Sequence, residues 1–257
     1  MRLYRCSHCD HTFTVVDTSY ADKKIYSDAY FDSSHENWFK FPNFPLFDRI
    51  HKFILKSLKN NDFKLLDIGC GRGDLLNYLH QKEPKWDLYG IDTSTQKSDN
   101  FKFIQADFAQ SSFNQKFDVV TSIMCIEHIQ DINLFVDKII GITKPEGLII
   151  ITTINAGGLM YGLARALHKI GISQAFQRLY SEHHVQHFTN KSLKALLENH
   201  GLCILSQKNP NYRLASVDYP KTYPLISGCY KIATAITFGL STLLNNGVSQ
   251  EVMCKRV

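Results

Sequence analysis

Residues 64–79 read KLLDIGCGRGDLLNYL: a short apolar run, three glycines at alternate positions, and a leucine-spaced segment. Glycine reaches backbone conformations closed to other residues, so Gly69, Gly71 and Gly73 mark a tight turn between a strand and a helix. Such a unit brings bare backbone N–H groups and a helix N-terminus up against a ligand. Gly71 and Gly73 are the expected points of closest approach. A dinucleotide-binding turn would read G-x-G-x-x-G. Here the sixth position is Asp74, a carboxylate that would meet a pyrophosphate, and Asp67 stands two residues before the first glycine.

From residue 62 onward, short β-rich runs alternate with helical segments, which predicts a parallel sheet covered by helices. The expected strands are KLLDI (64–68), DLYGID (87–92), FKFIQAD (101–107), FDVVTSI (117–123), GLIIITTI (147–154), GLCILSQ (201–207) and the final SQEVMCKRV. Helices are expected over 74–81, over 131–142 with a period near 3.6, and over 190–200, where Gly201 supplies the stop. Two insertions, 156–188 and 208–247, break the alternation. Residues 1–45 are rich in Tyr, Phe and Asp and read as an N-terminal extension to a domain spanning 46–257. A chain of 257 residues, 44% of them hydrophobic, can bury one good core with appendages.

The segment LLDIGCGRGDLL resembles the first motif of class I S-adenosylmethionine-dependent methyltransferases, and further motifs follow in that family's order. IDTS resembles its second motif, in which an acidic residue binds the ribose hydroxyls; Asp92 holds that position. QADF resembles the segment whose Asp contacts the adenine amine, matched by Asp107. FDVVTSIMCIEHI resembles the fourth-strand motif with its Glu-His pair, and KPEGLIIITTIN the fifth strand. The resemblance covers about residues 60–207. It implies an α/β fold, a Rossmann-like, doubly wound, seven-stranded and mostly parallel sheet with the last strand antiparallel. It also implies S-adenosylmethionine as cofactor and a small-molecule acceptor. The cofactor site would comprise Asp67, Gly69, Gly71, Gly73, Asp92 and Asp107, with Phe108 and Ile123 flanking the adenine. The chemistry agrees, because a carboxylate accepts both hydrogen bonds of a ribose diol and Asp67 can help hold an ammonium group.

Methyl transfer gains much of its rate from positioning, and an acceptor of high pKa also needs a base. Glu127 and His128 follow the fourth strand, where ligands of open α/β sheets lie. His183 belongs to the cluster EHHVQH (182–187), a stretch similar to one in ubiquinone-biosynthesis-type O-methyltransferases. A helix there would set His183 and His187 on one face, but Glu182 is not spaced as in zinc proteases, so no metal ligands are expected.

At the N-terminus, YRCSHCDHTF carries Cys6-x-x-Cys9 and resembles the second half of the zinc ribbon of some sugar C-methyltransferases. The first cysteine pair is absent, and a structural zinc site takes four ligands, so zinc at Cys6 and Cys9 is disfavoured. The remaining five cysteines are scattered singly. With no apolar leader, they suggest reduced thiols in the cytoplasm.

The net charge of +5 is spread without a Lys/Arg block, and no basic, aromatic-interleaved arm exists, which argues against a nucleic-acid partner. The run ISGCYKIATAITFGLSTLL carries too many polar residues for a good membrane span. A helical cap over an apolar pocket is expected there, with peripheral membrane contact as a further option. The leading expectation is methyl transfer to oxygen, carbon or nitrogen of a small molecule. The alternative is a non-catalytic S-adenosylmethionine-binding domain in a biosynthetic complex.

Overall fold

The computed structural model describes residues 2–15, 37, 40–59, 62–95, 98–181, 184–219 and 224–257. A hairpin of β1 (Leu3–Arg5) and β2 (Thr12–Thr14) comes first, followed by helix α1 (Phe44–Ser57). Then follow β3 (Lys64–Ile68), α2 (Asp74–Lys82), β4 (Asp87–Asp92), β5 (Lys102–Gln105) and β6 (Phe117–Ile123). Helix α3 (Ile132–Ile142) leads into β7 (Thr143–Ile154). The first insertion folds as α4 (Leu159–Lys169) and α5 (Gln174–Leu179), ahead of the two-residue strand β8 (Gln186–His187). The chain continues through α6 (Asn190–Asn199), β9 (Leu202–Lys208), α7 (Pro224–Leu243) and β10 (Ser249–Arg256).

Seven strands form one sheet in the order β5-β4-β3-β6-β7-β10-β9. The pairs β3–β4, β4–β5, β3–β6 and β6–β7 are parallel, while β10 runs antiparallel to both β7 and β9. This is the doubly wound sheet expected from the alternation. Strand order turns at β3, which has β4 on one side and β6 on the other, and crevices open at such reversals beyond the carboxyl ends. The runs LLDI and LIIIT are buried throughout because helices cover both faces of a parallel sheet. One core layer centres on Leu66, Val120, Ile149, Ile139 and Leu193, the other on Ile50, Ile54, Leu65, Leu76 and Ile150.

Local signals account for the element ends. Asn43 caps α1 by accepting from the Leu46 N–H, and Asp131 caps α3 through Leu134. Thr189 and Ser192 form a reciprocal cap on α6, and Gly201 ends it at φ +78°. The third expected strand is shorter than its apolar run, because Asp107 caps a 3-10 turn over Phe108–Gln110.

Two features depart from the reading of the sequence. The stretch around His187 is a strand and not the helix considered for it; His183 itself lies outside the described residues. The N-terminal hairpin also joins the domain, since β2 pairs antiparallel with β8 through Thr12–His187 and Phe13–Gln186. Among the described residues, no helix is long and apolar enough to cross a membrane. The outer face of α7 nonetheless exposes Ile232, Ile236, Leu240 and Leu243.

Candidate active site

The turn after β3 has all three glycines at positive φ: +69° at Gly69, +52° at Gly71 and +73° at Gly73. Side chains are excluded at two of them. A Cβ on Gly69 would stand 2.9 Å from Cys125 Sγ, and one on Gly73 would stand 2.3 Å from the Phe101 ring. The Cβ direction of Gly73 is therefore filled by the Phe101 ring. Gly73 lets α2 start hard against the sheet. Backbone N–H groups of Gly69 and Cys70 both donate to the Ile91 carbonyl, tying the turn to the end of β4.

Asp92 ends β4 half-buried. Its Oδ2 accepts from the Gly71 N–H at 2.9 Å, and its Oδ1 accepts from the N–H and hydroxyl of Ser94 at 2.8 and 2.6 Å. A carboxylate offers about four lone-pair sites, so Oδ2 keeps capacity for a further donor. The Asp92 carbonyl accepts from Ala106, which holds the neighbouring Asp107 beside it. Asp107 is exposed and accepts from Ala109 through Oδ1. Asp67 is buried, accepts from the Thr121 hydroxyl at 2.7 Å, and has its carboxyl pushed up to about 7, chiefly by burial. Ile123 closes β6 half-buried. Phe108 turns inward instead, edge-on to Phe135 in the core, because the 3-10 turn capped by Asp107 points its side chain under the sheet. The structure thus gathers Asp67, Asp92, Asp107 and the glycine turn at one edge and takes Phe108 into the packing.

After β6, Met124 takes φ +52° and Ile126–His128 form a single 3-10 turn. Glu127 is completely buried. Its Oε2 accepts from the Thr153 hydroxyl at 2.7 Å, while Oε1 has no hydrogen-bond partner among the described residues. Burial pushes its carboxyl up to about 7, with the Thr153 bond working against the shift. The His128 ring lies 4.9 Å from that of His184, and donor atoms of Glu127, His128 and His184 all fall within 4.8 Å of one another. A carboxylate and two imidazoles are also donor types that a divalent cation accepts. His184 supplies this contact among the described residues, and His183 lies outside them.

Tyrosines ring Glu127. The Tyr161 and Tyr212 hydroxyls are raised by burial, and the Glu127 charge bears on both. Tyr212 donates to Met124 Sδ at 3.5 Å, Tyr161 meets Tyr180 edge-on, and Arg165 donates to the Tyr180 hydroxyl at 2.9 Å. None of these carried a sequence signal. They come from the two insertions, where no periodic pattern marks them, and they meet only in three dimensions.

The seam between β2 and β8 buries two imidazoles. His11 Nε2 donates to Gln186 Oε1 at 2.8 Å and its ring packs on Phe188, while His187 is fully buried with neither ring nitrogen partnered among the described residues. Burial lowers both, His187 to about 4, and His11 adds to that. A folded pKa below the unfolded value of about 6.5 means that the unfolded chain binds the extra proton between those values. This contribution to stability is therefore complete above pH 6.5 and is lost as pH falls through 4, up to about 3 kcal/mol. Asp67 and Glu127, with raised values, act in the opposite sense. The measurement is the difference between wild type and His187→Leu in urea midpoints from pH 7 to 4. The wild-type midpoint is expected to fall relative to that of the variant as pH falls from 7 to 4, and a pH-independent difference would contradict it.

A glycine turn at the strand-order reversal, flanked by carboxylates on adjacent strand ends, defines the class I methyltransferase fold. The methyltransferase domain family matches residues 12–207, and the chain belongs to it. The ubiquinone biosynthesis O-methyltransferase of Bartonella tribocorum is 28% identical over 116 residues, 40% of this chain and 46% of that protein. The chain thus spans about half the length of the curated relatives it matches. Among solved structures, the plantazolicin methyltransferase BpumL in complex with a triazolic desmethylPZN analog and SAH superimposes with a TM-score of 0.59. It is 17% identical over 89% of this chain and 93% of its own. The phosphoethanolamine N-methyltransferase 2 of Haemonchus contortus, in complex with S-adenosyl-L-methionine, also gives 0.59, at 15% identity over 94% of this chain and 60% of its own. These likenesses carry the fold.

Proposed function

We propose that the chain transfers the methyl group of S-adenosylmethionine to a small-molecule acceptor by in-line displacement. The observation that supports this most is the Asp92 carboxylate, fixed by the Gly71 N–H and by Ser94 at the strand-order reversal, with acceptor capacity left on Oδ2. The residues fit the cofactor's chemistry. Asp92 would take the ribose diol, Asp107 the adenine amine, and Asp67 with the glycine turn the amino-acid head; Ile123 would contribute apolar contact. When bound, the cofactor supplies an electrophilic methyl on a sulfonium. Phe108, packed against Phe135, has no part in this reading.

Glu127 is the candidate base. It is buried, its carboxyl is poised near neutrality, and one oxygen lacks a partner among the described residues. His128 and His184 beside it would orient the acceptor or pass the proton outward. The ring of tyrosines would exclude water and hold an acceptor against the transfer edge. The seven cysteines form no disulfide, which fits a reducing cytoplasmic setting. The exposed apolar row on α7 fits a peripheral membrane contact.

Calorimetric titration of the purified chain with S-adenosylmethionine, S-adenosylhomocysteine and NAD tests the cofactor assignment. Micromolar binding of the first two and none of the third is expected. NAD binding without adenosyl binding would sink it.

A further inference from the structure

The turn that joins β1 to β2 holds two thiols in one small site. Backbone N–H groups of Cys9 and His8 donate to Cys6 Sγ, and so does the Cys9 thiol. The Asp10 N–H donates to the Cys6 carbonyl at 3.0 Å, and the Cys6 N–H to the His11 carbonyl at 2.8 Å, so residues 6–11 close on themselves. Asp10 takes φ +61° within this turn. Both cysteines are half-exposed and unlinked. Donors gathered on one sulfur favour its ionised form and hold the Cys6 thiol below its ordinary value. Cys70, Cys125 and Cys254 stand the other way, raised by burial.

The thiol turn is tied to the turn that carries Glu127. Cys6 pairs with the backbone of His11, whose ring Nε2 donates to Gln186 Oε1 at 2.8 Å. Gln186 passes the tie on. Its Nε2 donates to the carbonyls of Ile129 and Gln130 at 2.9 and 3.1 Å, directly after the 3-10 turn over Ile126–His128. A second path runs through the backbone alone: the Thr14 N–H donates to the Val185 carbonyl and the Val185 N–H to the Glu127 carbonyl, each at 2.9 Å. Lys191 fixes the outer side of the hairpin by donating to the His8 carbonyl at 2.6 Å. A thiolate accepts N–H bonds strongly, whereas an uncharged sulfur is a weak acceptor. Oxidation therefore frees the N–H groups of His8 and Cys9 in a turn whose far end is His11.

We propose that Cys6 and Cys9 form a thiol–disulfide couple, and that its closure loosens the hold of His11 and Gln186 on the Glu127 turn. The oxidant is a small disulfide of the glutathione class. The Cys6 thiolate attacks one of its sulfurs and expels a glutathione thiolate. Cys9, its proton lost to solvent, attacks Cys6 Sγ and expels the second. The two cysteines give up two electrons and two protons, and the glutathione disulfide takes them up as two thiols. The effect on turnover rests on the proposed function, since it needs Glu127 to be the base; the disulfide does not.

The test is incubation of the full chain with millimolar oxidised glutathione, read by peptide mass mapping and amide hydrogen exchange. The peptide holding Cys6 and Cys9 is expected to lose its thiol hydrogens, and dithiothreitol to restore them. Cys9→Ser should instead trap a glutathione adduct on Cys6, while Cys6→Ser carries about tenfold less on Cys9. Oxidation should speed exchange across residues 126–130 by about threefold. Gln186→Leu should exchange at the faster rate in both states. No disulfide, equal adducts in the two single variants, or a zinc ion that stays on the reduced pair and blocks oxidation overturns the couple. Unchanged exchange in the oxidised wild type overturns the link to Glu127. S-adenosylhomocysteine titrated in both states reads the methyltransferase assignment separately: its failure to bind counts against that reading and leaves the disulfide result standing.

Discussion

Replacing Asp92 by Ala is expected to weaken S-adenosylmethionine binding ten- to a hundredfold while the fold persists. Hydrogen bonds to a charged group contribute about 1.5–3 kcal/mol, and each 1.4 kcal/mol is a factor of ten in affinity. The carboxylate also steadies the turn through Gly71 and Ser94, so the loss combines direct contact with a loosened cradle. Asp92→Asn separates the two, because the amide oxygen can still accept from Gly71. An intermediate loss for Asn and a full loss for Ala, read by titration calorimetry with unchanged circular dichroism, is the expected pattern. Equal affinity in all three proteins would place the ribose elsewhere.

The second large effect concerns turnover. Glu127→Gln should lower kcat by about 10²–10⁴, the range for losing a general base, and leave cofactor affinity intact. Gln can still accept from Thr153, so the buried turn stays packed. In the wild type the base is competent only when ionised, and burial holds its carboxyl near 7. The rate should accordingly rise as pH increases through about 7, and the Gln variant should lose that limb. The same assay run in a chelator separates base from metal. Full activity supports proton transfer by Glu127, whereas loss reversed by a divalent cation would assign Glu127, His128 and His184 to that ion.

The sheet was legible because its strands are runs of β-branched and apolar residues bounded by glycine and proline, a pattern that burial on both faces demands. The spans of β3, β4 and β6 fell where the sequence put them, and Gly201 marked the end of α6. The carboxylates were legible for a related reason: Asp67 and Asp92 lie at the carboxyl ends of β3 and β4 and Asp107 two residues past β5, so the sheet itself fixes their position. What failed depended on contacts far apart in sequence. Strand β8 has two residues and exists because β2 offers it a partner some 170 positions away, which no window on the sequence contains. Tyr212 against Met124 and the Phe101 ring against Gly73 share that origin. Phe108 illustrates a different limit. The motif fixed its neighbour Asp107, but whether the next side chain faces ligand or core depended on the cap that Asp107 itself makes.

Strand β10 has a consequence for the order in which the molecule is built. It follows every other element in sequence yet lies inside the sheet, with β7 on one flank and β9 on the other. During synthesis the five strands from β5 to β7 can align first, but β9 has nothing to attach to until β10 has emerged. Pairing Ser249 with Ile154 closes a long loop, the slow kind of step for a sheet. The two insertions sit within that loop. The tyrosine ring can therefore form only in the last stage of folding, on a cofactor edge whose strands are already aligned.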